Sequence, residues 1–427
     1  MTGAGVMFGL LRRPASGAVT GQVTQALAGL VLQVAAARFL GAAGLATFAL
    51  IYGLVVLVTA VASGMVGDSL TVLDRAAPAV RGGLHVWAVL VAGGAGLAGA
   101  LLAALTGVLP GPASAVLGLA VAAFVLEDTL RRLLMATGRY WSLPAVDVTS
   151  LLFALGTLVL CALGGELTLS SFFLALLVGQ TAAAVVAWRR VPFAERPRGP
   201  WRSPDLGAVW SFGVWRAAAQ TIRPGLLSGL RFVVVGLAGA AAYGPLEVAR
   251  VYTAPTLTIV AGLGSFLLPH YVTMSRNAVG DSAPVSRALR SADRVALGLA
   301  GAVALISVVA VLLQPVAEPL LTGGDYEMPV LAVVGWGAYA VAGAVLLPYS
   351  GVATVQHRQR RVLAFRLLEF VALGAVTLLV LLVGDGEQWA PLALAVGPLL
   401  AAVAVRQAVL RPLARLERGA VGTLVGV

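Results

Sequence analysis

The sequence predicts an all-α integral membrane protein with about twelve transmembrane helices, arranged as two six-helix bundles related by a pseudo-twofold axis along the membrane normal. Three observations support this: an apolar composition, a series of segments of membrane-spanning length, and a one-sided distribution of arginine. Of the 427 residues, 59% are hydrophobic and 11% are charged, which is about half the charged fraction of soluble domains. Because so few charges cannot cover a surface in water, most of the surface is expected to face lipid.

Twelve apolar segments follow one another along the chain, each close to the roughly 20 residues that a helix needs to cross a bilayer. Their predicted bounds are 16–37, 45–67, 86–108, 113–134, 143–163, 168–188, 207–235, 246–269, 295–313, 329–348, 366–383 and 389–410. The seventh is long and contains Pro224, which we expect to kink it.

Arginine placement predicts the orientation of these spans, since all 29 basic residues are arginine and basic residues gather on the cytoplasmic side. With a cytoplasmic N-terminus, 24 arginines fall at the inner side, one at the outer side and four within spans. We therefore expect a multi-pass protein of the inner (plasma) membrane with both termini in the cytoplasm.

The chain also repeats itself weakly. The sequence RFLGAAGLATFALIY from Arg38 is similar to RFVVVGLAGAAAYGPLEVARVY from Arg231. A second pair of similar stretches begins at Met135 and Val352, each a basic loop followed by an apolar span. Six spans per half give a parallel repeat, so we predict an N-terminal lobe (1–188), a cytoplasmic linker (189–206) and a C-terminal lobe (207–427).

The seventh span contains the most informative polar residues. Arg216, Gln220 and Arg223 are spaced i, i+4, i+7 and share one helix face, and Arg231 follows about two turns after them. An arginine at mid-membrane costs on the order of 3 kcal/mol, so we expect these side chains to face water, acids or an anionic ligand. Guanidinium groups offer paired donors to phosphate. In the structural alternative, Arg216 snorkels inward, Arg231 lies at the outer interface and Arg223 binds carbonyls freed by Pro224.

Two further spans contribute candidate substrate-binding residues. On the first span, Gln22 and Gln25 form part of a glutamine stripe that ends near Arg38, and such a stripe either joins helices or lines a cavity that hydrogen-bonds sugar. On the eighth, Glu247 and Arg250 are spaced to form an i, i+3 ion pair or to take part in a gate.

The remaining acids have ordinary structural interpretations. We expect Asp147 to cap the cytoplasmic N-terminus of the fifth span, where the helix dipole favours an anion, and Asp68 to cap or pair at the inner surface. The fourth span ends in a cluster expected to pair within itself: Glu127, Asp128, Arg131 and Arg132.

Several functional classes lack support in the sequence. The single Cys161 and three dispersed histidines offer no disulfide and no metal-ligand cluster. No Walker-type phosphate loop occurs, and scattered arginines in short loops do not indicate a nucleic-acid partner. We therefore predict a protein that is not an enzyme and needs no cofactor.

Ordered motifs resemble those of a known transporter family. ARFLGAAGLATFAL (Ala37 to Leu50) is similar to the boundary after the first span of polysaccharide exporters, and LLTGGDYEMPVLAVVGW (Leu320 to Trp336) to their step between the ninth and tenth spans. AAYGPLEVARVY and FLLPHYV match the turns into and out of the eighth span. The resemblance is to the O-antigen and polysaccharide flippases of the multidrug/oligosaccharidyl-lipid/polysaccharide (MATE-like) exporter superfamily.

This resemblance implies two six-helix lobes that move a polyprenyl-diphosphate-linked oligosaccharide to the outer leaflet by alternating access. Cationic residues would meet the diphosphate, namely Arg216 and Arg223 with Arg38, Arg231 and Arg250. The expected partners are the lipid-linked sugar, membrane lipid, and glycosyltransferases and the polymerase of the same pathway.

Other functions stay open at this stage. The first span lacks the embedded acid that drug-exporting relatives use for cation coupling, which weakens but does not remove a cation-coupled small-molecule or drug antiporter. A lipid II flippase is a close variant of the leading hypothesis. A non-transporting membrane scaffold is the alternative from another class.

Overall fold

The computed structural model describes residues 14–196, 203–277, 284–356 and 358–417, and within these the chain is all-helical, with no β-strand. Twelve helices follow one another in the described part, with 3-10 or π turns inside or beside some of them. The predicted fold class and helix number are therefore confirmed.

The first six helices match the first six predicted spans to within several residues. They are α1 (Pro14–Phe39), α2 (Gly41–Ala62, continued by a π turn at Ser63–Gly67 and by Asp68–Val72), α3 (Pro78–Thr106), α4 (Gly111–Ala136), α5 (Leu143–Gly164) and α6 (Leu169–Arg190). Several starts carry local signals. A proline occupies the first turn of α3, α4 and α5, where its missing N–H costs nothing. Thr168 and Ser171 form a capping box before α6.

The last six helices are less even in length. They are α7 (Leu206–Ala238), α8 (Ala240–Asn277), α9 (Pro284–Thr322), α10 (Val330–Val355), α11 (Gln359–Arg366, a 3-10 turn at Leu367–Phe370, then Val371–Leu382) and α12 (Ala390–Ala404, preceded by a 3-10 turn at Gly386–Trp389 and continued by a π turn at Val405–Leu410 and by residues 411–417). Helix α9 has 39 residues and exceeds its predicted span because an apolar window marks only the part suited to hydrocarbon, whereas the polar first turns continue the helix.

Ten of the helices are long and apolar enough to cross a membrane, judged over the described residues by length and composition. Helices α1, whose glutamines lower its hydropathy, and α8 are not among the ten. Large apolar side chains are exposed on many of the helices, including Leu105, Leu163 and Leu382. Such surfaces suit contact with acyl chains.

By packing, the described residues divide into two units. One contains the described residues up to Leu40 together with Phe48–Ser228, and the other contains Gly41–Thr47 and the described residues from Gly229 onward. The packing units thus divide inside α7, while the lobe boundary at residues 189–206 stays a prediction about the sequence repeat.

Helix pairing inside the two units repeats with an offset of six helices. In the first unit α3 packs on α4, α5 on α6 and α4 on α6; in the second α9 packs on α10, α11 on α12 and α10 on α12. Equivalent helices therefore take equivalent neighbours, as expected for a sequence duplication.

Glycines allow close helix approach in both units. A methyl group on Gly96 of α3 would lie 2.6 Å from the carbonyl oxygen of Gly118 on α4, and one on Gly118 would lie 2.6 Å from that of Gly96. In the second unit, one on Gly397 of α12 would lie 2.7 Å from the carbonyl oxygen of Glu369 on α11. Small residues at such contacts let helices associate through dispersion and weak hydrogen bonds in lipid.

Candidate functional site

The polar stripe of α7 is defined as Arg216, Gln220 and Arg223. Within the first unit, Arg216 and Gln220 face α2. The Nε of Arg216 lies 2.8 Å from Oδ2 of Asp68, and the Gln220 amide donates to the same oxygen at 3.4 Å. Asp68 follows the π turn of α2, and one residue of that turn, Gly64, packs so closely that a methyl group there would lie 2.3 Å from the backbone nitrogen of Ala217. This approach brings the Asp68 carboxylate to the arginine, although the Arg216 side chain stays 42% exposed.

Arg223 differs from the other arginines predicted within spans. It is half-buried one residue from the midpoint of α7, roughly 22–26 Å from either helix end at 1.5 Å per residue. The described residues provide it with no hydrogen bond and no ion pair. Because Asp68 neutralises Arg216, the unpaired Arg223 leaves the stripe and Asp68 together with a net charge of one positive unit.

Exposed tryptophans flank the stripe on α7. At about 100° per residue, Trp215 and Trp210 lie about 80° from the nearest residue of the stripe, one on each side of it, and both are exposed. Their apolar surfaces suit contact with lipid.

In the second unit, Arg231 and Arg250 converge on the buried Glu247, which is 1% exposed. Nη2 of Arg231 lies 3.3 Å and Nη2 of Arg250 2.7 Å from Oε1, and the Tyr243 hydroxyl donates to Oε2 at 2.8 Å. The i, i+3 pair that the sequence predicted is present. Two guanidinium groups and one carboxylate give the cluster a net charge of one positive unit, and Nε of Arg231 is buried without a hydrogen-bond partner.

The candidates on α1 belong to the first unit. Gln22 is exposed, and Gln25 accepts a hydrogen bond of 2.7 Å from Nη1 of Arg131. Arg38 is exposed in the last turn of α1. The structure thus brings Arg216 together with Gln220, and Arg231 together with Glu247 and Arg250. It also places Gln25 beside Arg131, which was not among the candidate substrate-binding residues.

Arg131 binds Asp147, which lines an acidic cavity of about 90 Å³ inside the first unit. Glu127, Asp147, Gln25 and Gln180 line it with Ser150, Tyr52 and apolar side chains. The Arg131 guanidinium holds Asp147 through Nε at 3.0 Å and Nη2 at 3.3 Å. The polar groups on its wall and this volume suit an ordered water.

Two groups in this cavity lack hydrogen-bond partners in the described part of the chain. Glu127 is buried and accepts no hydrogen bond there, and the buried Oε1 of Gln180 has no partner. A buried polar group without a partner costs free energy, so such groups in native proteins call for an explanation.

The contacts around this cavity show that two sequence-based predictions were wrong. Asp147 was predicted to cap the fifth span, but α5 begins at Leu143, and Asp147 lies in the second turn, buried against Arg131. The cluster at the end of α4 was predicted to pair within itself, but only Arg132 and Asp128 do so, at 2.8 Å. The only sequence signal for the cavity was the presence of Glu127 and Asp147 in apolar segments.

No metal-binding group was predicted, and the described residues contain no group of three or more His, Cys, Asp and Glu placed to hold a metal ion.

Comparison with known proteins identifies the fold. No protein-family model and no curated protein sequence match the chain. Among solved structures, an inward-facing multidrug resistance MATE family transporter of the MOP superfamily is similar with a TM-score of 0.68 and 14% identity, over 95% of this chain and 99% of that one. An outward-facing MATE transporter gives 0.62 and 13%, over 96% and 98%.

A MOP superfamily transporter from Pyrococcus furiosus, for which reverse polarity of the binding pocket suggests a different function, has a TM-score of 0.61 and 13% identity, over 96% and 98%. At these identities the similarity concerns the fold. The chain has the fold of MATE transporters, which confirms the expected architecture.

Proposed function

We propose that this chain is a membrane transporter that flips a polyprenyl-diphosphate-linked oligosaccharide from the cytoplasmic to the outer leaflet by alternating access. The fold supports a transporter, and the polar stripe of α7 supports an anionic, phosphate-bearing substrate. The proposal includes location in the inner membrane with both termini in the cytoplasm, as the arginine distribution favours.

The single observation that carries the substrate class is Arg223. A guanidinium at the midpoint of a long helix, without an acid among the described residues, is costly in a membrane. A diphosphate would remove that cost, because its oxygens accept bidentate, charge-assisted hydrogen bonds from guanidinium groups.

Arg216 also suits diphosphate binding, although it is paired with a carboxylate. Its carboxylate partner, Asp68, holds it in place when no substrate is bound, and its exposed fraction leaves donor nitrogens accessible. A diphosphate with about two negative charges would compete with one carboxylate for this guanidinium. The MOP superfamily transporter from P. furiosus, which has the same fold, is described by a reverse polarity of its binding pocket, so pocket polarity varies among proteins of this fold.

The test is flipping of a labelled polyprenyl-diphosphate sugar in proteoliposomes. Arg223→Gln should reduce the initial rate at least tenfold, whereas Arg189→Gln, which removes one arginine from the exposed end of α6, should leave it near wild type. Equal rates for Arg223→Gln and wild type, with equal amounts of inserted protein, would reject the diphosphate assignment.

A second candidate, a cation-coupled small-molecule antiporter, is favoured by the acidic cavity of the first unit. Glu127 provides a buried carboxyl group without a hydrogen bond in the described chain, and Asp147 lies on the same cavity wall. In this reading Glu127 exchanges a cation as the substrate moves.

The two candidates are separated by their substrates and by one variant. Under an imposed proton or sodium gradient, Glu127→Gln should abolish gradient-driven transport of a cationic drug if the antiporter reading is correct. If the wild type transports no drug and Glu127→Gln still flips the lipid-linked sugar without a gradient, the antiporter proposal is rejected and the flippase proposal stands.

A further inference from the structure

A further cationic feature lies within the second unit. A pocket of about 630 Å³ is lined by residues from the first turns of α9 and the end of α12: Ser286, Leu289, Arg290, Asp293, Arg406, Arg411, Ala414 and Arg415. Its volume lies in the range of about 300–1,000 Å³ that is typical of ligand sites. We name it the α9–α12 pocket.

The charges of this pocket do not balance. Arg406 is held by Asp293 through two contacts, Nε–Oδ1 at 2.8 Å and Nη2–Oδ2 at 2.9 Å. The other three arginines, Arg290, Arg411 and Arg415, have no carboxylate partner among the described residues. Glu417 makes no ion pair with these arginines; its carboxylate accepts the backbone N–H groups of residues 285 and 286 at the start of α9.

Backbone geometry directs two of these arginines to the same side. Residues five apart on an α-helix point about 140° away from each other. The π turn at Val405–Leu410 closes its hydrogen bonds between residues five apart and so brings Arg406 and Arg411 toward one side. On α9, Ser286, Arg290 and Asp293 follow at i, i+4, i+7 and present one face.

The positive-inside distribution explains why arginines occur at these helix ends, but it does not require them to meet in a pocket. Arginines at the end of α6, Arg189 and Arg190, satisfy the same rule on an exposed helix end. Convergence of three uncompensated guanidinium groups from two helices indicates an anion, because close like charges repel one another until a counter-charge binds.

Beyond the charged residues, the walls continue as exposed apolar surface. Leu297, one turn beyond Asp293 on the same face of α9, is 77% exposed, and Val403, one turn before Arg406, is also exposed. An anion that carries acyl chains would place its phosphate among the arginines and its chains along these residues.

We propose that the α9–α12 pocket binds the headgroup of an anionic phospholipid, with a two-phosphate lipid such as cardiolipin bound most tightly. Basic pockets between transmembrane helices on the cytoplasmic side are suited to such headgroups. The proposal does not depend on which substrate the protein transports.

Native mass spectrometry of the full chain, titrated separately with cardiolipin and phosphatidylcholine, tests this. Cardiolipin should bind, and Arg411→Gln/Arg415→Gln should weaken it about 25-fold, from about fivefold per arginine near a membrane surface. The control Arg189→Gln/Arg190→Gln removes the same charge and should change the affinity less than about twofold. Arg290→Gln, on α9, should weaken cardiolipin binding about fivefold. This variant provides the test if the double variant does not fold.

Three outcomes would overturn the assignment. Equal losses in the pocket and control variants would mean nonspecific attraction, and equal binding of phosphatidylcholine would mean that no headgroup is recognised. Displacement of cardiolipin by inorganic phosphate or by a polyprenyl diphosphate at comparable concentration would reassign the pocket to a free anion or to the transported lipid.

Discussion

Loss of the Glu247 carboxylate should destabilise the second unit more than loss of either arginine around it. Glu247 is the common acceptor of Arg231 and Arg250, whose side chains are 6% and 13% exposed. Glu247→Gln would leave two guanidinium groups buried side by side and raise the net charge of the cluster from one to two positive units. Arg250→Gln would instead leave a neutral pair.

The magnitude follows from this charge balance. Removing one partner of a buried pair costs about 3–5 kcal/mol, because the remaining charge stays buried without compensation. For a domain of about 200 residues, each 1 kcal/mol lowers the melting temperature by about 2–4 °C, so Glu247→Gln should lower it by roughly 6–20 °C. Arg250→Gln should cost only about 1.5–3 kcal/mol, the typical contribution of a hydrogen bond to a charged group, since the remaining pair of Glu247 and Arg231 is neutral.

The assay is thermal unfolding of purified protein in detergent, followed by tryptophan fluorescence. Trp336 reports on this region, because it is fully buried and its Nε1 donates to the carbonyl of Leu246, the residue before Glu247. A melting temperature for Glu247→Gln equal to or above that of Arg250→Gln would refute the reasoning, since it would mean that the two arginines do not depend on this carboxylate.

Three further predictions concern the first unit. Gly118→Ala should destabilise it by about 1–3 kcal/mol, because the added methyl meets the backbone of α3, whereas Gly156→Ala, with open space around it, should be neutral in the same melting assay; equal effects would contradict this packing. Asp147→Asn should cost about 3–5 kcal/mol by leaving the α4 guanidinium buried without its carboxylate, and an unchanged melting temperature would exclude a structural ion pair. Asp68→Asn should release Arg216 and tighten binding of a soluble diphosphate about fivefold in calorimetry; weaker binding would show that Asp68 positions the arginine for the ligand.

Local sequence was sufficient for the helices and for one ion pair. Apolar segments of about 20 residues predicted twelve helices, and the i, i+3 spacing predicted the contact between Glu247 and Arg250, because both features depend on residues within a few turns of one another. The duplication, read from sequence similarity, is matched by the repeated order of helix packing in the two units.

The partners of the remaining charges were decided by tertiary packing. Arg216 meets Asp68 from 148 positions away, and Arg131 takes Gln25 from 106 positions away and Asp147 from the next helix. No periodicity reports such contacts, since they depend on how closely two helices approach and on which face each presents. Sequence alone therefore determined where the membrane helices run and which charges they carry. The folded chain decided which charges are neutralised and which, like Arg223, Arg290, Arg411 and Arg415, have no acidic partner among the described residues.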